Sequence, residues 1–347
     1  MRSSHGERPL NTSMDSKSGI EEREALHWTV EKDAVRCELC PHNCRIVSGA
    51  TGLCGVRKNQ GGRLAATSYG KIAASAVDPI EKKPLYHFHP GSSIFSIGSF
   101  GCSFLCEFCQ NHHLACGRPV LTEVNIDDLV AAARRAGSIG VAYTYNEPLV
   151  QFEFVLDCSR AFRAAGMKNV LVTNGCVMQK PLEELLPFTD AMNIDLKSMD
   201  PDFYRKTCRG DLATVLETIR TAARKTHVEI TSLLYTGLND SDACIRKVVD
   251  FVAETDPEIP LHFSRYFPRF RAKAPPTPIA RLEAAWLAAR ERLPYVYVGN
   301  ADIPGTKNTI CPGCRALIIN REGFKTNLLG LSGNRCASCG KILAFSI

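Results

Sequence analysis

A chain of 347 residues, 45% hydrophobic and 22% charged, can bury the core of one large soluble domain or two moderate ones. No apolar run reaches the roughly 18 residues that span a bilayer, and the polar N-terminus lacks the apolar stretch of a secretory signal, so the cytoplasm is expected. A net charge of +6 with no dense Lys/Arg run is weak support for nucleic-acid binding and leaves a membrane surface without an argument.

Residues 1–25 read as a disordered polar tail. Residues 26–92 follow as an N-terminal module carrying Cys37, Cys40, Cys44 and Cys54, with Pro41, Gly49, Gly52 and Gly55 as turns around them. From 93 to 300 short apolar strands alternate with helical patterns. The strands are Ser93–Ile97, Val141–Tyr145, Asn169–Thr173, Ala191–Leu196, Val228–Leu234 and Leu261–Tyr266, with Tyr295–Val298 as a last addition. Between them lie helices over Ile126–Arg135, Leu149–Ala165, Pro181–Leu186, Leu212–Lys225, Asp242–Glu254 and Pro278–Arg292, the first with Asn125 as its N-cap. Such strand–helix units in series predict a parallel α/β sheet, open or curled into a partial barrel. Residues 301–347 form a C-terminal module with Cys311, Cys314, Cys336 and Cys339, where Ala316–Ile319 and Ile342–Phe345 would be short strands of a zinc ribbon.

Sixteen cysteines are unusual for a chain without an export signal, and their close spacing is that of metal ligands rather than disulfides. The pair of C-x2-C knuckles at the C-terminus indicates a structural tetrathiolate zinc site, with a single rubredoxin-like iron as the competitor. The N-terminal four close a site of their own; structural zinc is the first choice and an auxiliary [4Fe–4S] cluster the second. The central set, Cys102, Cys106 and Cys109, has three soft ligands. Either His112, His113 or Cys116 completes a zinc knuckle, or three thiolates hold a [4Fe–4S] cluster with one iron left open to a small molecule. Cys116 and Cys176 lie close in sequence to this region; Cys158, Cys208 and Cys244 read as small buried hydrophobes.

In a parallel α/β sheet the chemistry gathers beyond the C-terminal strand ends. The central cysteines follow the first strand there, Asn146-Glu147-Pro148 the second and Asn174-Gly175 the third. Asp195 and Lys197 end the fourth; His262 and Arg265 lie on the sixth.

Cys102-x3-Cys106-x-Phe108-Cys109 resembles the signature of radical S-adenosylmethionine (SAM) enzymes. The resemblance implies a partial (β/α)6 barrel and a cluster whose open iron binds the amino and carboxylate groups of SAM. It further implies reductive cleavage of SAM to a 5′-deoxyadenosyl radical that abstracts hydrogen. Tyr143-Thr-Tyr-Asn-Glu-Pro148 stands where the family has Gly-Gly-Glu-Pro, with Asn146 replacing the second glycine. Thr173-Asn174-Gly175 and Asp195-Leu196-Lys197 are similar to elements of the pyruvate formate-lyase activating enzymes, where the lysine meets the SAM carboxylate. On this basis Phe108, Asn146, Glu147, Thr173, Asn174, Asp195, Lys197, His262 and Arg265 are expected around SAM.

The segments Asp78–Gly91, His262–Pro268 and Tyr297–Asn300, with the outer cysteine sets, resemble the radical SAM enzyme of the AmmeMemoRadiSam system over about residues 26–345. That resemblance implies Memo-like and AMMECR-type partners acting on a small molecule. The likeness to activating enzymes implies instead a glycyl radical enzyme as protein substrate. Either chemistry needs a reductase, flavodoxin or ferredoxin as electron donor. The contrasting expectation is a zinc-rich scaffold or nucleic-acid-binding protein in which all three cysteine sets are structural.

Overall fold

The computed structural model describes residues 23–347, so all but the end of the expected tail lies outside the described residues. Its centre is one eight-stranded sheet, β1 (Ala74–Pro79), β2 (Ser93–Gly98), β3 (Gly140–Tyr143), β4 (Lys168–Thr173), β5 (Ala191–Asp195), β6 (His227–Leu234), β7 (Leu261–Arg265) and β8 (Val296–Gly299). Spatial order follows chain order from β1 to β8. Strands β2 to β8 pair in parallel, each with its sequence neighbour. The seven lie within one or two residues of their expected places, because continuous apolar runs such as Gly140-Val-Ala-Tyr143 are buried on both faces.

Helices α1 (Ile126–Arg135), α2 (Phe152–Ala164), α3 (Gln179–Leu185), α4 (Leu212–Ala223), α5 (Asp242–Thr255) and α6 (Ile279–Arg290) occupy the crossovers. The Asn125 side chain accepts the Asp127 N–H at 2.8 Å, the N-cap expected for α1. No helix among the described residues is long and apolar enough to cross a membrane.

Strand β1 was not expected. Its residues Ala-Ser-Ala-Val-Asp-Pro are mostly exposed or half-buried, so neither an apolar run nor a clean alternation marks it. It pairs antiparallel along the whole of β2, and residues before Ser93 therefore belong to the sheet as well as to the N-terminal module.

The two edges, β1 and β8, do not pair with each other. A strap running on from β1, residues 80–92, fills the space between them. The Tyr86 ring lies 4.8 Å from both Tyr297 and His262, and the His87 Nε2 is 2.6 Å from the Tyr297 hydroxyl. The C-terminal module locks the strap from outside: Arg321 donates to the Tyr86 carbonyl at 2.7 Å, and the His89 N–H donates to the Ser346 carbonyl.

In that module Leu317–Glu322 and Lys325–Leu328 form a hairpin beside Thr309–Ile310. Ile342–Phe345 is not the strand expected. Ile342 makes one bridge to Arg335, whereas Ser346 bridges to Phe88 and Phe345 stacks on His87 at 4.2 Å. The segment divides its contacts between two partners, and no continuous ladder forms. At the other end Trp28–Glu31, Ala34–Cys37 and Arg45–Val47 make a small antiparallel sheet.

Candidate metal and cofactor site

The central cysteines lie on the loop leaving β2, and two glycines set its course. A Cβ on Gly98 would sit 2.5 Å from the Thr144 carbonyl oxygen; one on Gly101, at φ +87°, would sit 2.6 Å from that of Cys54. Asn146 braces the loop: its Oδ1 accepts the Ser99 N–H at 2.8 Å, and its Nδ2 donates to the Phe100 and Gly101 carbonyls at 3.0 and 3.1 Å. The far end is held by Leu105 N–H on the Cys208 carbonyl and by the Tyr235 hydroxyl on Glu107 at 2.9 Å.

A cavity of about 280 Å³ opens above the sheet at the C-terminal strand ends. Cys102, Cys106 and Cys109 line it, together with Phe108, Asn146, Glu147, Thr173, Asn174, Asp195 and Lys197. Residues from four crossovers thus meet in one place, as their positions after β2, β3, β4 and β5 require.

Glu147 is buried at the cavity wall. It accepts from Leu149 N–H at 3.0 Å, the Thr173 hydroxyl at 2.7 Å and Asn174 N–H at 2.8 Å. Burial outweighs these neutral donors and raises its pKa to about 7. Lys197 Nζ donates to Asp195 at 2.7 Å and lies 5.9 Å from the Phe108 ring centre. Burial works against its charge, but Asp195 and the neighbouring Cys106 and Cys208 sulfurs hold its pKa well above the ordinary lysine value. Burial pushes the Cys102 thiol well up and that of Cys109 to about 11. Cys106 goes the other way: hydrogen bonding with Cys208, aided by Lys197, lowers it against burial.

These residues fit a cluster held by three thiolates. Binding iron would relieve the burial that keeps Cys102 and Cys109 protonated, since the metal takes the thiolate. The Asn174 Nδ2 stands 3.7 Å from the Cys102 sulfur as a donor to it. Among the described residues neither His112, His113 nor Cys116 joins the three central sulfurs in a group tight enough for one ion; the His112 ring stacks on Phe270 at 4.9 Å, and the exposed Cys116 thiol donates to the His112 carbonyl.

Two of the expected SAM neighbours do not reach this cavity. His262 is buried and bound at 2.6 Å to Glu229, and it lines a second cavity instead. Arg265 turns its Nε to the Thr277 carbonyl at 2.9 Å and its guanidinium over Phe267. Position on the strand is a poor guide for these two, because each is engaged by another partner.

Tyr145, Asn111, Ser264 and Asn300, none of them among the residues expected around SAM, also line the cavity. Asn111 donates to the Tyr145 carbonyl at 2.8 Å, and Asn300 to the Ser264 hydroxyl at 2.8 Å. Tyr145 carries the one available signal: a tyrosine where the related motif has glycine, at φ +72°.

The C-terminal thiols form a different kind of site. Their four sulfurs lie within 4.8 Å of one another, with Cys311 to Cys339 at 3.7 Å and Cys314 to Cys336 at 3.6 Å. Such a group can hold a metal ion.

A family profile described as the radical SAM superfamily matches residues 96–252. The chain is 41% identical over 329 residues to the uncharacterized protein MJ0808 of Methanocaldococcus jannaschii, covering 92% of this chain and 98% of that one. It is 31% identical over 176 residues to a GTP 3′,8-cyclase of Alkaliphilus oremlandii, covering 48% and 53%. It is 28% identical over 162 residues to the pyruvate formate-lyase 1-activating enzyme of Escherichia coli K12, covering 44% and 66%. The chain thus spans only about half to two-thirds of these two enzymes. With MJ0808 it belongs to one family of proteins built on a radical SAM superfamily domain.

Proposed function

We propose that Cys102, Cys106 and Cys109 hold a [4Fe–4S] cluster, that the adjoining cavity binds SAM, and that the substrate is a small polar molecule. One observation carries the first two parts: three thiols, Glu147, Asp195 and Lys197 line a single cavity of about 280 Å³. When bound, the cluster would supply one electron to SAM, whose C5′–S bond breaks to give methionine and a 5′-deoxyadenosyl radical.

The remaining work falls to the chain's own residues. Glu147 offers a carboxylate whose charge is left unmet by three neutral donors, and the SAM ammonium is the cation it fits. Lys197, held by Asp195, presents an ammonium to the SAM carboxylate. Asn146 and Asn174 fix the loop and the Cys102 sulfur. Burial of these groups keeps water from the radical.

The choice between a protein glycine and a small molecule rests on what stands beside this cavity. A second cavity of about 760 Å³ shares Tyr145, Thr231, Ser264 and Asn300 with the first. Its other walls include Asp78 of β1, Lys83 and Tyr86 of the strap, and Phe324 at the tip of the C-terminal hairpin. A protein loop would need a lateral mouth, and the strap and hairpin occupy that side. A small molecule needs only the chamber. The GTP 3′,8-cyclase among the relatives is by its name a small-molecule enzyme. The same argument favours the AmmeMemoRadiSam reading, with Memo-like and AMMECR-type partners, over a glycyl radical enzyme. For the C-terminal thiols zinc is the proposed ion: a Zn–S bond of about 2.3 Å in a tetrahedron puts sulfurs about 3.8 Å apart.

The test is anaerobic. Protein reduced with dithionite and given SAM is expected to form 5′-deoxyadenosine, and the Cys102→Ala/Cys106→Ala/Cys109→Ala variant to form none. Equal deoxyadenosine from both proteins, or none from either, would overturn the assignment.

A further inference from the structure

We propose that Cys37, Cys40, Cys44 and Cys54 hold an iron–sulfur cluster rather than a single metal ion, placed to pass electrons to the central site. The relay part rests on the reading of the central site given above; the cluster itself does not.

The C-terminal thiols provide an internal ruler. All four of their sulfurs lie within 4.8 Å of one another, as ligands of one ion must. Among the described residues no three of the N-terminal sulfurs do, and neither do the three central ones. A four-iron cube carries its cysteines on separate corners, farther apart than the edge of a one-ion tetrahedron. By this measure the N-terminal set belongs with the central cysteines and not with the C-terminal ones.

The N-terminal four are nevertheless a built group. Cys37 N–H donates to the Cys44 carbonyl at 2.9 Å, and Asn43 N–H to that of Cys40 at 3.0 Å. A Cβ on Gly52 would touch the Cys44 Cβ at 3.7 Å. The Cys40 thiol neighbours those of Cys37, Cys54 and Cys176. Beside Cys37 and Cys54 lies the guanidinium of Arg57, with only 1% of its side chain exposed. One Arg57 nitrogen serves Glu153 at 2.9 Å and the Leu26 carbonyl; its Nε and Nη1 have no partner. Two orphaned N–H groups on a sealed cation beside thiols fit an anionic sulfur-rich group.

Position supplies the role. The Cys54 carbonyl presses on Gly101, next to Cys102, and the His42 Nε2 is 2.7 Å from the Ser103 carbonyl. A cavity of about 360 Å³ lies against both loops, lined by Cys54 and Cys102, with exposed Arg118 and Arg209 on its wall. A reduced low-potential one-electron carrier would give one electron to the outer cluster. That cluster would give it to the central one and return to its oxidised state.

The deciding experiment counts iron and zinc in full-length protein purified without oxygen and without chemical reconstitution. The wild type is expected to hold about eight irons and one zinc, and the central Cys102→Ala/Cys106→Ala/Cys109→Ala variant about four irons. That variant leaves the N-terminal set intact, so failure of an N-terminal variant to fold cannot obscure the answer. Dithionite should generate a paramagnetic cluster signal in it. A central variant with two zincs and no iron would overturn the proposal, and four irons that dithionite does not reduce would overturn the relay. Deoxyadenosine formation by the wild type is read separately, so loss of the SAM reading and loss of the second cluster remain distinguishable.

Discussion

Glu147 and Glu229 are both buried beside the central sheet, yet their surroundings push them in opposite directions. For each, burial alone would raise the carboxyl pKa. Glu147 has three neutral donors and rises to about 7. Glu229 meets His227 at 3.1 Å, His262 at 2.6 Å and the His87 N–H at 2.7 Å, and the histidines hold it well below the usual carboxylate range. The charge of Glu229 is satisfied by its own protein, where it ties β6 to β7 and to the strap. The charge of Glu147 is not, and that leaves it available to a cation from outside. Burial and a carboxylate do not by themselves distinguish a structural site from a binding site; the partners do.

The largest effect should come from breaking the satisfied network. Glu229→Gln replaces a buried carboxylate that meets three partners with a neutral amide, weakening or losing up to two charged hydrogen bonds, and is expected to lower stability by about 3–5 kcal/mol, read from urea midpoints. A loss below about 1 kcal/mol would mean that the strap is held without it.

The pH dependence separates the two carboxylates. Glu147 has a folded pKa of about 7 against an ordinary 4.5, so the folded protein holds its proton more tightly than the unfolded chain. Its contribution is full below pH 4.5 and declines as pH rises to 7, by about 3 kcal/mol in all. Glu229, with its folded pKa depressed, contributes above its ordinary value, and that contribution is lost only as pH falls below 4.5. Between pH 4.5 and 7 the ligand-free protein should therefore lose stability through Glu147, and Glu147→Gln should flatten the slope. A slope unchanged in that variant would assign it to another group.

This contrast also marks what could be read from the sequence. Glu147, Asn174, Asp195 and Lys197 are legible because each ends or follows a strand whose apolar run is unmistakable, and the sheet brings those ends together. Glu229 was not. It sits inside a strand, and its partners His87 and His262 lie 142 and 33 residues away. The Arg57–Glu153 pair, 96 residues apart, was invisible for the same reason. Strand β1 escaped because an edge strand with one wet face carries little apolar signal. Motif spacing gave the cysteine groups but not the distances between sulfurs, which depend on how the loops fold back.

A smaller effect is expected on the binding side. Lys197→Met removes the ammonium while keeping the length of the side chain. Loss of one charged hydrogen bond of about 1.5–3 kcal/mol would weaken SAM binding roughly 10- to 100-fold. The readout is calorimetry on anaerobic protein whose iron content is first shown to be unchanged. If affinity holds while iron falls, Lys197 serves the cluster loop rather than SAM.

Tyr145 offers the finest test, because it stands between the two cavities at φ +72°, a backbone state costing a non-glycine residue about 1 kcal/mol or more. What keeps a tyrosine there is its contact with β1 and the strap: its hydroxyl donates to Asp78 of β1 at 2.9 Å, and the Lys83 ammonium of the strap lies 4.9 Å from its ring centre. Tyr145→Phe keeps the strained backbone and loses the hydrogen bond, for an expected loss of about 1 kcal/mol. Tyr145→Gly loses the ring as well but relieves the strain, and should be the more stable of the two variants by urea midpoint. If the glycine variant is the weaker, the ring holds the strap by more than the backbone resists it, and Tyr145 groups with Glu229 as an internal tie. If it is the stronger, the tyrosine is retained against its own backbone at the wall shared by both cavities, and it groups with Glu147 on the side that faces a ligand.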